Sequence, residues 1–201
     1  MRLSRLNAWL ASSLIFLTER AVSVRANEPA RPSEAEIGSI QQYLTPYQAI
    51  QEIWTGVASI DTLVAKLTPE ELASIKKTLG ESAPSDTVIV FRPCDAHGTV
   101  LGHAVIGEEV GKYRPITFMV GTTPDLEVRN VEILVYRESR GGEVRFSRFL
   151  RQYRGKSATS PIRTNRDIIN IAGATLSVNA LNLGVKRALL SLEALRERKV
   201  L

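Results

Sequence analysis

The sequence predicts an α+β fold: an antiparallel sheet packed by helices, with a helical N-terminal segment and one long C-terminal helix. Three observations point there. Helix-capping signals gather before residue 80, β-branched stretches separated by short turns run from 87 to 135, and a helical apolar period returns after 177.

Ser33 with Glu36 is a capping-box pattern that predicts a helix to about Leu44. Thr45-Pro46 with Gln48 repeats the pattern, with proline at the first helical position, and predicts a helix to about Trp54. Thr68-Pro69 with Glu71 is the third, for a helix that runs through Ile75 and Leu79 and stops at Gly80. Strands are predicted at 87–91, 100–106, 116–120 and 128–135, where Val, Ile and Thr dominate. The turns at 95–98 and 122–125 are short enough for antiparallel connections. After Gly141-Gly142, the spacing of Val144, Phe146, Phe149 and Leu150 predicts an amphipathic helix that Gly155 ends. Val178, Leu181, Val185, Leu189, Leu192 and Leu195 form one face of a last helix over 177–198, which packs on the sheet.

At 201 residues and 44% hydrophobic content the chain can build one domain with a real core. Its net charge of +5 is unevenly placed: Arg2, Arg5, Arg20 and Arg25 against Glu19 put +3 in residues 1–26, leaving +2 for the rest. Later basic residues alternate with acids, which argues against a nucleic-acid partner. Residues 1–26 read as a secretory signal, with a basic start, an apolar run from Leu6 to Leu17 and Val24-Arg25-Ala26 as the cleavage site. The run is shorter than the ~20 residues that span a bilayer. A periplasmic location is therefore expected, with an uncleaved N-terminal membrane anchor or a mitochondrial presequence as the other readings. Residues 27–85 are expected to be a helical N-terminal segment and 86–201 the functional domain. Cys94 is the sole cysteine, and His97 and His103 are the only histidines, so no disulfide and no multi-cysteine metal site is expected; Cys94 reads as a half-buried thiol.

The stretch from Asp167 to Ser177, Asp-Ile-Ile-Asn-Ile-Ala-Gly-Ala-Thr-Leu-Ser, stands just before the last helix. A helix start presents unpaired N–H groups and the positive end of the dipole to an anion. Gly173 and Ala174 are small enough for a bulky group to approach the backbone, Thr175 offers a hydroxyl there, and Leu176 and Ser177 continue the same turn. Taken alone, these residues better suit a plain turn in which Thr175 or Ser177 caps the helix, because so short a string arises often by chance.

The same stretch resembles the flavinylation motif of the FMN-binding domain family, which includes flavin-carrying components of sodium-translocating NADH:quinone reductases and of the Rnf complex. The resemblance extends through Glu109–Gly121, Val135–Val144 and Arg148–Lys156 and covers about residues 86–195. It implies FMN as cofactor, esterified through its phosphate to Thr175 by a separate flavin transferase. It further implies an exported electron carrier that exchanges electrons with membrane or exported partners. Two departures stand out: Ala172 replaces the usual Ser or Thr, and Asp167 lies eight residues before Thr175, further than in the commonest form. Ser177 is the second candidate for the ester. The resemblance also implies that Glu138 and Ser139, in Glu138-Ser139-Arg140-Gly141, lie near the isoalloxazine. A solvated loop is the competing reading of that segment. Lys156, Arg137 and Arg140 are candidates for anion contact, or else solvated cations. Tyr113, Phe118 and Met119 suit either the wall of a ring pocket or core.

No Ser-His-Asp arrangement and no carboxylate dyad is evident, so no residue is assigned a catalytic role and the chain reads as a carrier. A binding module that kept the fold without flavin, and an FMN-dependent reductase with its own small substrate, are the alternatives.

Overall fold

A computed structural model of the chain describes residues 39–80 and 85–201. The expected leader, and residues 33–38 of the first expected helix, lie outside them. The described part of that helix is not helical: Gln41–Gln42 is a short strand, β1, paired with Tyr136 and Val135. The segment takes its hydrogen bonds from a neighbouring strand instead, and Tyr43 N also donates to Leu134 O at 2.8 Å.

Two capping boxes then act as the sequence predicts. Helix α1, Pro46–Ile53, starts at Thr45, whose Oγ1 accepts from Gln48 N at 3.2 Å while Gln48 Oε1 accepts from Thr45 N at 2.9 Å. Helix α2, Pro69–Leu79, starts at Thr68 in the same way with Glu71 and stops at the left-handed Gly80. Between them lies strand β2, Ser59–Lys66, which the expectation of a purely helical segment did not include. It is an edge strand with mostly exposed positions, so it carries little of the apolar alternation that marks a half-buried strand.

Strands β3 (Thr87–Cys94), β4 (His103–Val110), β5 (Pro115–Thr122) and β6 (Val128–Tyr136) follow. The sheet order is β1-β6-β5-β4-β3-β2, and every neighbouring pair is antiparallel. β4 is displaced toward higher numbers from its expected span of 100–106, because Leu101 N donates to Pro93 O at 2.8 Å and keeps 100–102 in the connection. The amphipathic helix expected after Gly142 is a string of short pieces: 3₁₀ turns at Gly142–Arg145 and Arg151–Tyr153 flank α3, Ser147–Leu150. Its apolar residues Val144, Phe149 and Leu150 are nonetheless buried. The last helix, α4, spans Thr175–Glu197.

The sheet is covered on both faces. α4 buries Val178, Leu181, Val185, Leu189 and Leu192 against Val90, Ile116, Phe118 and Val120, while α1 buries Ala49, Ile50 and Ile53 with Trp54 against Ala104, Met119 and Leu134. Alternation along β5 thus sends Phe118 to the α4 side and Met119 to the α1 side. α4 lies so close to the sheet that a Cβ on Gly184 would collide with the Phe118 ring. This packing fixes where the N-terminus of α4 emerges beside the ends of β4 and β6.

Candidate functional site

A cleft of about 410 Å³ opens where three segments meet: Lys112 from the β4–β5 hairpin, Glu138–Arg140 after β6, and Gly173–Ser177 at the start of α4. Such a volume lies within the range of small-molecule sites.

The start of α4 differs from those of α1 and α2. Gly173 has a positive φ of 82° in the preceding turn, Ala174 N donates to Ile171 O at 3.0 Å, and no side chain caps the helix. No acidic residue sits in its first turn. The first amides and the positive dipole end are therefore left for an anion. Thr175 is exposed, and its Oγ1 accepts from Asn170 Nδ2 at 2.9 Å. Ser177 is only 4% exposed, and its Oγ is 2.9 Å from the Tyr136 hydroxyl.

Tyr136 does not line the cleft but stands behind Ser177, which does. Its hydroxyl donates to Arg140 O at 2.5 Å and so folds the Glu138–Arg140 segment over the end of β6. Burial pushes the phenol up to about 12, the hydrogen bond with Ser177 offsets part of this, and the Glu138 and Glu143 charges add to it. Gly141, at φ 86°, is required here, because a Cβ would stand 2.6 Å from Ser177 Oγ and 2.8 Å from Tyr136 OH.

Glu138 is buried at 8% exposure, and its Oε1 accepts from Tyr113 N at 2.6 Å and Arg114 N at 3.0 Å. Glu138 is thus not solvated, whereas Ser139 and Arg140 of the same segment are exposed. The Glu138 carboxylate ties the β4–β5 hairpin down and holds Lys112 at the cleft. Lys112 in turn lies 4.5 Å from the Tyr113 ring centroid. Lys112 and Arg140 set two cations against the single Glu138 carboxylate in the cleft lining.

Gly173, Ala174, Thr175, Leu176, Ser177, Glu138, Ser139 and Arg140, named from the sequence, therefore share one cleft. Lys156 does not line it. Its ammonium pairs with Asp167 Oδ2 at 2.9 Å. Asp167 also accepts from Ile162 N at 3.1 Å and Arg163 N at 2.8 Å, so it staples the loop leading to the site. Burial would raise its pKa, but the Arg163 amide, Lys156 and the Ile162 amide outweigh that and hold it below the usual carboxylate value. Arg137 is committed to Pro115 O at 2.9 Å and Thr117 Oγ1 at 2.8 Å. Phe118 and Met119 are fully buried core, and Tyr113 is half-buried beside the cleft rather than part of its lining. Cys94 is buried rather than half-buried. Among the described residues no helix is long and apolar enough to cross a membrane.

Lys112, Tyr136 and Asn170 were not singled out from the sequence. A lysine in a hairpin loop or a tyrosine ending a strand is ordinary there; only the fold brings them to the start of α4.

Residues 111–190 match the family model of the FMN-binding domain. Over that span the chain is similar to this family of domains. The matched segment contains all three stretches that line the cleft, while β1 to β4 lie before it and complete the sheet. No curated protein matches the chain. Among solved structures, the crystal structure of Shewanella oneidensis NqrC is similar, with a TM-score of 0.47 and 16% identity, covering 70% of this chain and 80% of that one. FMN is the cofactor that the domain match indicates. The residues present suit it: an uncapped helix start and two cations for phosphate, and a buried Asn170 Oδ1 with no partner beside Thr175.

Proposed function

We propose that this chain is an FMN-binding domain that carries its flavin covalently, as a phosphoester on Thr175, and serves as an exported electron carrier. The carrying observation is that Thr175 presents an exposed hydroxyl at an uncapped helix start, inside a cleft whose wall bears Lys112 and Arg140. A phosphate there meets backbone N–H groups, the helix dipole and two cations at once. Ser177 is the poorer acceptor because its hydroxyl is buried and engaged with Tyr136. Ala172 removes a hydroxyl from the motif without removing these features.

When bound, FMN supplies the electron transfer, and the protein supplies orientation and electrostatics. Glu138 holds the hairpin, Tyr136 holds the Glu138–Arg140 segment, and Lys112 and Arg140 favour negative charge in the cleft. The basic start and apolar run of residues 1–26 support export to the periplasm, where a flavin transferase would modify Thr175 and membrane-bound or exported proteins would exchange electrons with it.

Intact mass after co-expression with a flavin transferase tests the reading, with Thr175→Ala as control. The wild-type chain should gain the mass of one FMN phosphodiester and the variant none. An unshifted wild-type mass would refute it.

A further inference from the structure

Among the described residues, Asn170 is the side chain seen to address the Thr175 hydroxyl: its Nδ2 donates to Thr175 Oγ1 at 2.9 Å. Its other end, Oδ1, is buried with no hydrogen-bond partner, a state that costs free energy unless something else is gained or a ligand group arrives to donate. The backbone beside it is held on both sides. Ile169 N donates to Gln152 Oε1 at 2.7 Å and Ile169 O accepts from Gln152 Nε2 at 3.4 Å. Downstream, Ala174 N is bonded to Ile171 O at 3.0 Å. Asn170 thus reaches Thr175 from a pinned loop rather than from a free one. A threonine in a helix splits between two χ1 rotamers, so an outside hydrogen bond decides which one is held.

Resting on the reading of Thr175 as the attachment site, we propose that Asn170 is its positioning residue: the neutral side-chain amide holds the Thr175 hydroxyl in one orientation in the cleft without setting a negative charge beside the arriving phosphate. In the attachment step Thr175 Oγ1 forms a bond to phosphorus. The donor must be a flavin nucleotide anhydride, since a phosphate monoester lacks a good leaving group. Its P–O anhydride bond breaks, a nucleoside monophosphate leaves, and the hydroxyl proton passes to a base of the transferase. No electrons are exchanged. The resulting ester oxygen has no proton and can only accept, which the Nδ2 donor matches. An aspartate of the same shape offers no donor when ionised and repels the phosphate.

The test uses the full chain with purified flavin transferase and flavin adenine dinucleotide, followed by intact mass over time. For Asn170→Ala the turnover number should fall about tenfold, the loss expected of one well-placed hydrogen bond, with KM for the protein substrate unchanged. Asn170→Asp should be slow at neutral pH and recover relative to wild type as pH falls toward the carboxylate range. In the unmodified protein, three-bond couplings at Thr175 should report one χ1 rotamer in the wild type and averaging in Asn170→Ala. Wild-type labelling with Asn170→Ala labelled equally fast, or Asn170→Asp matching wild type at every pH, overturns the positioning role alone. If Asn170→Ala does not fold, the isosteric Asn170→Asp decides by the same comparison. A wild type that gains no mass overturns the attachment reading and the positioning role together.

Discussion

The hydroxyl of Tyr136 stands 2.9 Å from that of Ser177, joining the end of β6 to the first turn of α4 behind the cleft. This contact, with the Tyr136 bond to Arg140 O, makes the cleft a product of two distant segments rather than of the Thr175 motif alone. Tyr136→Phe leaves Ser177 Oγ and the Arg140 carbonyl without their partner and should destabilise the fold by about 1–3 kcal/mol in urea unfolding. The pH dependence has a definite sign. A phenol raised from 10.0 to about 12 binds its proton more tightly in the folded state, so its contribution is full below pH 10 and is lost as pH rises to about 12. Tyr153, also raised by burial, loses stability in the same direction, so Tyr136→Phe should shrink the alkaline loss without abolishing it.

Asp167 gives the opposite limb. Its folded pKa is depressed below 3.8, so its stabilisation is present above that value and lost as pH falls through the lower folded value. Asp167→Asn should cost about 1–3 kcal/mol at neutral pH, since Lys156 and two backbone N–H groups lose a charged acceptor. Thermal unfolding between pH 7 and 2 should show a shallower acid decline in the variant. An unchanged slope would mean that the carboxylate does not hold the loop.

Gly184→Ala places a methyl group against the Phe118 ring and Glu109 Cγ. Overpacking of this kind should cost about 1–3 kcal/mol, read as a lower midpoint in denaturant at unchanged m-value.

Lys112→Glu replaces a cation of the cleft wall by an anion. In a Thr175→Ala background, where attachment cannot occur, FMN titrated by fluorescence should bind about five-fold more weakly, and the difference should shrink as salt is raised.

Ser177→Ala should leave the FMN mass gain in place, because the buried Ser177 hydroxyl serves Tyr136 rather than the cleft. Loss of the mass shift in this variant together with its retention in Thr175→Ala would exchange the two assignments.

Much of the fold is local enough to read from the chain. Thr45 with Gln48 and Thr68 with Glu71 satisfy each other within one helical turn, so their sequence spacing announces the helices. β5 is largely apolar and buried along nearly its whole length because both of its faces are covered, and α4 shows its buried stripe at helical period. β2 was invisible for the converse reason: an exposed edge strand is held by its ladder to β3, not by its own pattern. The region after Gly142 has helical spacing but breaks into short turns, since burial of Val144, Phe149 and Leu150 outweighs continuous helix.

What the amino-acid sequence determined by itself was the order of capped helices and apolar strands and the small-residue approach to a threonine before the last helix, because caps, alternation and helical period act over a few residues. What only the tertiary structure decided was which distant groups meet there: Lys112 and Arg140 on the wall, Tyr136 behind Ser177, and Lys156 drawn away to Asp167. Those meetings depend on how α4 lies across the sheet, and that is set by the summed packing of its buried face, which no short stretch of the chain contains.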